Sequence, residues 1–175
     1  EVVGRQVRQL RRLVDDLLDV SRVSSGHLQL HNEEVDLVRI LEDSIASNRL
    51  AAEVKGQTLA FKSEEPRHSV TGDRIRLTQV FSNLLRNANK YTPLGGRIEV
   101  HVESEGDNAT VRLRDNGIGI SPALLENVFE LFFQVSRTHH HSDSGLGIGL
   151  TLARQIVRLH GGTIEALSAT PEPTG

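Results

Sequence analysis

Residues 97–114 constrain the fold most strongly, because they contain two stretches of alternating apolar and polar residues joined by a polar turn. Residues 97–104 and 109–114 each follow the two-residue period of a strand that is buried on one face. The connecting residues 105–108, Glu-Gly-Asp-Asn, have the composition of a turn. The pattern predicts an antiparallel β-hairpin. Since a hairpin alone is barely stable in water, other elements must cover its apolar face.

Three stretches in which apolar residues recur at helical spacing are long enough to cover that face. The first spans residues 36–54 and begins at Asp36, a favourable N-cap residue, the second spans residues 71–93, and the third spans residues 147–160. The predicted buried face of the first helix comprises Leu37, Ile40, Leu41, Ile45 and Leu50, and that of the second comprises Ile75, Leu77, Val80, Phe81, Leu84 and Leu85.

Further strands and one short helix complete the central part of the chain. Residues 57–62 alternate like a strand, and residues 163–167, which follow a Gly-Gly pair, are predicted to form another. Ser121 and Pro122 suit the start of a short helix, with the serine as N-cap and the proline in the first turn.

The first 26 residues show a different pattern, a heptad repeat in steps of four and three. The repeat comprises Val3, Val7, Leu10, Val14 and Leu17. Such a seam favours a helix of a dimeric stalk, and a plain amphipathic helix on the surface of the same domain is the alternative. The chain is thus expected to divide into this helix (1–26), a linker (27–35), a main domain (36–168) and a loose tail (169–175).

Together these elements predict an α+β fold. Three helices cover one face of a mixed open sheet in a two-layer sandwich, and a coiled-coil-type helix precedes it.

The composition excludes several kinds of protein and of binding site. The 20 Lys and Arg residues are spread along the chain against 23 Asp and Glu, which gives a net charge of −3 and argues against a nucleic-acid-binding surface. The absence of cysteine excludes disulfides and thiolate metal sites. No apolar run reaches the roughly 18 residues of a membrane-spanning helix. With no methionine among 175 residues, the sequence is expected to be a piece of a longer protein.

Two asparagines on the second helix are candidate ligands. Asn83 and Asn87 lie four residues apart and therefore on the same side of the helix, and Lys90 follows one turn later. Amide carbonyl oxygens suit magnesium, and a neighbouring cation suits phosphate. Ordinary side-chain hydrogen bonds explain the asparagine pair equally well, so both interpretations stay open.

Residues 115–120, Asp-Asn-Gly-Ile-Gly-Ile, directly follow the second strand of the hairpin. Asp115 could accept a hydrogen bond from an exocyclic amine, and the glycines would let the backbone approach a flat ring. Taken alone, the segment is better explained as a turn that ends a strand.

Glycine recurs at every second position in residues 145–149, just where the third helix starts. Free backbone N–H groups and the positive end of the helix dipole would favour a phosphate at this place. The segment lacks the lysine of a phosphate-binding P-loop and the context of a dinucleotide fingerprint, and a flexible hinge is the alternative.

Three consecutive histidines, residues 139–141, resemble a metal cluster in composition only. Consecutive side chains cannot all reach one ion, and no spaced partner ligand lies nearby, so a solvated loop is favoured over a zinc site.

In this order, the motifs resemble the catalytic ATP-binding domain of sensor histidine kinases, which shares its fold family with DNA gyrase, heat-shock chaperone ATPases and mismatch-repair ATPases. The resemblance covers nearly the whole chain. Residues 83–93 resemble the family's N box, residues 115–120 its first glycine box, residues 129–133 its F box and residues 145–150 its second glycine box. Residues 13–22 resemble the second helix of the dimerisation and histidine-phosphotransfer hairpin.

The resemblance assigns roles to the second helix. It implies that Asn87, assisted by Asn83, coordinates Mg²⁺ on the triphosphate of ATP, and that Lys90 contacts phosphate. Asn87 and Lys90 would be the catalytic residues, and Tyr91 would pack near the nucleotide. Asn89 stands where the family more often has a small or aliphatic residue.

The resemblance also assigns the two glycine boxes. Asp115 would accept the adenine amino group and so select ATP over GTP, in a pocket shaped by Gly117 and Gly119. The nucleotide contacts of the second box would be Gly145, Leu146, Gly147 and Gly149. They would form the hinge and phosphate cradle of a lid over residues 134–145, with Phe132 and Phe133 anchoring its start.

The activity implied is transfer of the γ-phosphoryl group of Mg-ATP to a histidine, for relay to the receiver domain of a response regulator. No histidine here has the family's phosphoacceptor context, so the acceptor hairpin is expected in a part of the protein outside this sequence or in trans. The chain is further expected to form a homodimer through the heptad helix and to have no nucleic-acid partner. A cytoplasmic location is expected, and membrane anchoring of the parent protein is left open. A nucleotide-binding scaffold without turnover, or a related ATPase or serine kinase of the same fold, is the alternative.

Overall fold

The computed structural model describes residues 2–106, 108–134 and 146–168. The elements, in chain order, are α1 (Val2–Ser24), β1 (Glu33–Asp36), α2 (Leu37–Val54), β2 (Thr58–Ser63), β3 (Ser69–Gly72), α3 (Arg74–Tyr91), β4 (Arg97–Glu105), β5 (Asn108–Asp115), a 3-10 turn (Pro122–Leu124) and α4 (Gly149–Leu159). The hairpin and the three helices expected from the sequence are all present.

One mixed sheet contains β2, β4 and β5 in that order, with β2 parallel to β4 and β4 antiparallel to β5. In the hairpin, Ile98 pairs with Asp115, which places Asp115 at the end of the last strand. β1 and β3 form a separate antiparallel pair. The sequence pattern does not predict these two short strands, and β1 begins within the segment expected to be a linker.

Helices α2, α3 and α4 cover one face of the three-stranded sheet, as predicted, and α3 contacts both of the other two. The covered face of β4 carries Ile98, Val100 and Val102, which are almost completely buried. Across the interface, large and fully buried helix side chains are those of Ile40 and Leu41 of α2, Val80 and Leu85 of α3, and Leu152 and Ile156 of α4. This core holds α3, the helix with the asparagine pair, in the centre of the helical layer.

Two residues assigned to the buried helix faces are exposed instead. Leu50 is 72% exposed and Ile75 is 76% exposed. At about 100° per residue, Leu50 lies roughly 140° around α2 from Ile45, and Ile75 lies roughly 160° around α3 from Leu77. The prediction was wrong for both residues, because neither lies on the side of its helix that faces the core.

Two local predictions near the glycine segments are also corrected. Residues 163–167 have no regular secondary structure, and no strand of the described chain pairs with them, although Ile164 packs against the core. A strand forms only where a neighbouring edge supplies its hydrogen bonds. The short helix after Ser121 is a single 3-10 turn, and the Ser121 side chain makes no capping hydrogen bond.

Helix α1 is exposed along its apolar seam but docks at its end. Near that end Val20 is buried, and the Asp19 carboxylate accepts hydrogen bonds from Arg76 Nη1 at 2.7 Å and Gln79 Nε2 at 2.8 Å. The seam residues are 45% to 63% exposed, namely Val7, Leu10, Val14 and Leu17. None of the helices in the described part of the chain has the length and apolar character needed to cross a membrane.

Candidate functional site

The start of α3 is fixed by Asp73, its N-cap residue. Oδ1 of Asp73 accepts hydrogen bonds from the backbone N of Ile75 at 3.0 Å and of Arg76 at 3.1 Å, and Oδ2 accepts one from the backbone N of His31 at 3.0 Å. Burial opposes ionisation of this carboxyl group, but the three N–H donors and the nearby Arg76 charge hold the pKa of Asp73 below its ordinary value. Helix α3 thus begins at Arg74, three residues after the start of the predicted helix at residue 71, and it carries the candidate ligands Asn83, Asn87 and Lys90.

The asparagine pair on α3 has two different environments. Asn83 is buried, its Nδ2 donates to the carbonyl oxygen of Gly149 at 3.2 Å, and its Oδ1 accepts a hydrogen bond from the Arg86 guanidinium. Asn87 is half-buried, and its side chain makes no hydrogen bond to the described residues. Asn83 therefore joins α3 to the first turn of α4, whereas the carbonyl oxygen of Asn87 is available to a ligand.

The last turn of α3 carries a positive charge beside an aromatic ring. Lys90 Nζ lies 4.8 Å from the centroid of the Tyr91 ring, within the range of a cation–π contact. The Tyr91 side chain is 41% exposed. Both side chains thus lie at the surface at the end of the helix that presents Asn87.

The loop after β5 packs directly on this end of α3. The backbone N of Ile118 donates to the carbonyl oxygen of Tyr91 at 3.3 Å, and the backbone N of Gly117 donates to Asp115 Oδ1 at 2.9 Å. A Cβ atom on Gly117 would lie 2.6 Å from both Tyr91 O and Asp115 Oδ1, so only glycine fits here. Through Gly117, the structure brings Asp115 and Tyr91 together. Gly119, in the same loop, has a φ of 66°, a backbone conformation that glycine adopts without strain.

The segment before α4 packs on residues 129–133. Gly147 and Phe132 both have positive φ angles, 73° and 64°, and the backbone N of Phe132 donates to Gly147 O at 3.2 Å. A Cβ atom on Gly147 would lie 2.7 Å from Phe133 O. From α4, Arg154 Nη2 donates to Phe129 O at 3.0 Å and the guanidinium lies over the Phe129 ring. These contacts connect the predicted F box to the start of α4.

Part of the predicted site lies outside the described residues. This holds for Gly145, for the histidines 139–141 and for nearly all of the predicted lid, residues 134–145. Leu146 is described and is 43% exposed. Within the described chain, contacts join part of the predicted site in three groups: Asn83 with Gly149; Gly117 with Asp115 and with Tyr91, which also contacts Lys90; and Gly147 with residues 132–133.

Two polar residues that hold the end of α3 are not indicated by the sequence pattern. Gln57, which is buried, donates from Nε2 to Thr92 O at 2.7 Å, and Lys55 Nζ donates to Asn89 O at 2.5 Å. Neither belongs to a motif, and the contacts span more than 30 positions along the chain. Only the cost of burying a glutamine at the start of a strand could have indicated such a role.

Known proteins resemble the chain in sequence and in structure. The sensor protein kinase WalK of Staphylococcus epidermidis is 30% identical over 177 residues, covering 99% of this chain and 28% of WalK. The structure of the mycobacterial sensor histidine kinase MprB superposes with a TM-score of 0.65 at 29% identity and covers 82% of this chain and 89% of that one. The histidine kinase ThkA, in complex with the response regulator protein TrrA, shares the fold, with a TM-score of 0.70 at 21% identity over 92% of this chain and 43% of that one.

The chain spans only part of the length of its curated relatives, 12% of a histidine kinase of Formosa agariphila and 28% of WalK. A family model described as histidine kinase-, DNA gyrase B- and HSP90-like ATPase matches residues 72–175, more than half of the chain. The matched region contains α3, the loop after β5 and the start of α4, which carry the candidate ligands. The chain therefore belongs to the histidine kinase-, DNA gyrase B- and HSP90-like ATPase family, and its catalytic ATP-binding domain is of the histidine kinase type.

Proposed function

We propose that this domain binds Mg-ATP between α3 and the two glycine segments and transfers the γ-phosphoryl group to a histidine side chain. The observation that carries the proposal is the contact of Gly117 with both Tyr91 and Asp115. These contacts join the loop that carries the Asp115 carboxylate to the end of the helix that carries Asn87 and Lys90. Family membership supports ATP as the nucleotide.

Asp115 is suited to recognise adenine. Gly117 N engages Oδ1, while Oδ2 has no hydrogen bond to the described residues and can accept one from an exocyclic amine. Adenine presents an amino group at this ring position and guanine presents a carbonyl oxygen, which a carboxylate repels. We therefore expect ATP to be selected over GTP.

Asn87 fits a magnesium ligand. Its half-buried amide offers a hard carbonyl oxygen that no described residue occupies. The oxygen of Asn83 already accepts a hydrogen bond from Arg86, so Asn83 assists mainly by holding α3 against α4. When bound, magnesium would neutralise the phosphate charges, while Asn87 would orient the triphosphate along the helix.

Lys90 and the start of α4 are suited to bind the phosphates. Lys90 supplies a positive charge one turn beyond Asn87. The N-terminus of α4 has no side-chain cap, since the N-cap residue Ile148 cannot accept a hydrogen bond through its side chain. The N–H groups of its first turn can therefore donate to phosphate oxygens.

In the proposed reaction an imidazole nitrogen attacks the γ-phosphorus, the bond to the oxygen shared with the β-phosphate breaks, ADP leaves and the imidazole releases its proton. The protein contributes positioning and charge neutralisation. We propose that the histidine lies on the helical hairpin of which α1 is the second helix, and that a response-regulator aspartate then receives the phosphoryl group.

The exposed seam of α1 supports that arrangement, because Val7 and Leu10 are available to the first helix of the hairpin and to a second copy of the chain. We take the helix 1–26, the linker 27–35, the domain 36–168 and the tail 169–175 as the working division of the chain, and the cytoplasm, which supplies ATP, as its compartment.

Phosphotransfer in trans tests the proposal. Helical hairpins carrying a phosphoacceptor histidine, taken from several related kinases, would be incubated with the chain and ATP labelled at the γ-phosphate. We expect acid-labile, base-stable phosphohistidine with the wild-type chain, little with Asn87→Ala, and wild-type levels with Arg67→Ala, which removes only an exposed ion pair with Glu34.

Three outcomes separate the alternatives. ATP hydrolysis without any acceptor would favour a related ATPase of the same fold, and ATP binding without either reaction would favour a nucleotide-binding scaffold. Absence of phosphohistidine with every hairpin, while ATP still binds, would refute the kinase proposal.

A further inference from the structure

We propose that Gln57 and Asn89 form an amide pair that positions the end of α3, and with it the adenine-binding loop, for the nucleotide. The inference rests on the proposed function for its consequence in binding, but the pair itself is defined by contacts in the protein.

The two residues bind each other reciprocally, and Gln57 is buried while Asn89 is half-buried. Asn89 Nδ2 donates to Gln57 Oε1 at 2.7 Å, and Gln57 Nε2 donates to Asn89 O at 3.1 Å. Gln57 also reaches the carbonyl oxygens of Thr92 at 2.7 Å and Pro93 at 3.3 Å. Asparagine is a weak helix former, and this partner explains its presence in the last turn of α3.

These donors satisfy the end of the helix. The last carbonyl groups of an α-helix have no partner within the helix, and burial makes an unpaired carbonyl costly. Gln57 takes those of Asn89 and Thr92, and Lys55 Nζ donates to those of Asn89 at 2.5 Å and Lys90 at 3.3 Å. A positive charge at this end also complements the helix dipole.

Gln57 is itself held in place by backbone hydrogen bonds on both sides. The backbone N of Gln57 donates to Ala52 O at 2.9 Å, at the end of α2, and the next residue, Thr58, donates to Gly96 O at 2.9 Å at the start of the sheet. The Gln57 side chain is 7% exposed. Through Gln57, the position of the end of α3 is thus fixed relative to α2 and to the sheet.

From this anchor, a short series of contacts leads to the proposed adenine carboxylate. Tyr91 lies between Asn89 and Thr92, and its carbonyl oxygen accepts the hydrogen bond from Ile118 N. Gly117 packs against Tyr91 O so closely that a Cβ atom would lie 2.6 Å from that oxygen, and Gly117 N donates to Asp115 Oδ1 at 2.9 Å. A displacement of the end of α3 must therefore displace the loop that carries Asp115. Gln57 and Asn89 are positioning residues, since neither belongs to the predicted nucleotide contacts.

Two variants and a stability control test this inference. Gln57→Leu keeps the approximate size of the side chain and removes all its hydrogen bonds, whereas Asn89→Ala removes one half of the pair and favours the helix, which keeps this variant folded. Ile45→Val, in the buried face of α2, removes one methyl group from the core without touching the end of α3 and is the control for stability.

Two readouts are needed, Mg-ATP affinity by calorimetry and the fluorescence of Tyr91. Tyr91 is the only tyrosine of the chain and there is no tryptophan, so its emission and its quenching by acrylamide report this position directly. We expect Gln57→Leu to raise the Kd about tenfold and Asn89→Ala to raise it less, because a buried donor or acceptor is left unpaired. Both variants should change the quenching of Tyr91, and Ile45→Val should change neither readout.

The possible results are distinct. If both variants only lower the melting temperature, as Ile45→Val does, with the Kd and the Tyr91 signal unchanged, the pair is structural and the inference is overturned. If the wild-type chain does not bind Mg-ATP, the proposed function fails. The Tyr91 signal, which needs no nucleotide, then still decides whether the pair positions the end of α3: an unchanged signal refutes the pair as well, and an altered one supports it.

Discussion

Replacing Gly117 with alanine should weaken nucleotide binding more than it weakens the fold. The new Cβ atom would lie 2.6 Å from Tyr91 O and from Asp115 Oδ1, whereas ordinary van der Waals contact begins at 3.4 Å. The loop and the end of α3 must therefore separate by roughly 0.8 Å, a misfit of the kind that costs about 1–3 kcal/mol in a packed site. The bond from Ile118 N to Tyr91 O, already 3.3 Å long, would be lost.

Because Asp115 and Ile118 are exposed, the loop can move outward and relieve most of this strain without unfolding the domain. We expect the Kd for Mg-ATP to rise about tenfold or more, corresponding to about 1.4 kcal/mol, and the free energy of unfolding to fall by about 1 kcal/mol.

Calorimetric titration and urea unfolding of Gly117→Ala and of the wild-type chain measure both quantities. Ser121→Ala, which changes an exposed side chain without a capping hydrogen bond, is the control. Unchanged ATP affinity in Gly117→Ala would show that the packing of this loop on Tyr91 is not part of the binding site.

Three further predictions concern other substitutions. Asp73→Asn should lower the free energy of unfolding by about 1 kcal/mol at neutral pH. The N–H donors hold the pKa of Asp73 below its ordinary value of 3.8, so its contribution to the free energy of unfolding is complete above that pH and is lost as the pH falls below it. In urea unfolding at a series of pH values, the variant should therefore lose less stability in acid than the wild-type chain. Parallel profiles would contradict this. Gly147→Ala should lower the melting temperature by several degrees, because the new Cβ atom would lie 2.7 Å from a backbone oxygen. Gly149→Ala should not lower it, because the nearest neighbour of its Cβ atom would lie at 3.6 Å. Equal melting temperatures of the two variants would contradict the reasoning. Asn87→Ala should weaken Mg-ATP binding with little change in stability. Asn83→Ala should mainly lower stability, because the buried Asn83 amide joins α3 to α4. Calorimetry and thermal melts that give the opposite pattern would reverse the assignment.

Local signals in the sequence predicted much of the fold. Asp36 and Asp73 identify their helix starts because an N-cap acts over two or three residues, and both side chains accept the expected backbone hydrogen bonds. The hairpin is equally local, since its two strands are joined by a two-residue connection. The pairing of β1 with β3 is not local: Val35 meets Val70 across 35 positions, and four-residue strands carry too little alternation to be recognised.

The sequence predicts the motifs of the candidate site but not the contacts that hold them in place. The glycine boxes and the asparagine pair are recognisable because each lies within a few residues of sequence. The role of Gln57 depends on carbonyl groups more than 30 positions away, which no short pattern encodes. The different environments of Asn83 and Asn87 likewise depend on where α4 packs, so equal spacing on one helix did not distinguish a structural amide from an available one.

The most direct test of the proposed site is a calorimetric titration of the wild-type chain and of Asp115→Ala with Mg-ATP and Mg-GTP. We predict micromolar binding of ATP by the wild-type chain, much weaker binding of GTP, and loss of ATP binding in a folded Asp115→Ala variant. Equal affinities for the two nucleotides, or unchanged ATP affinity in Asp115→Ala, would contradict the assignment of Asp115 as the adenine-binding carboxylate.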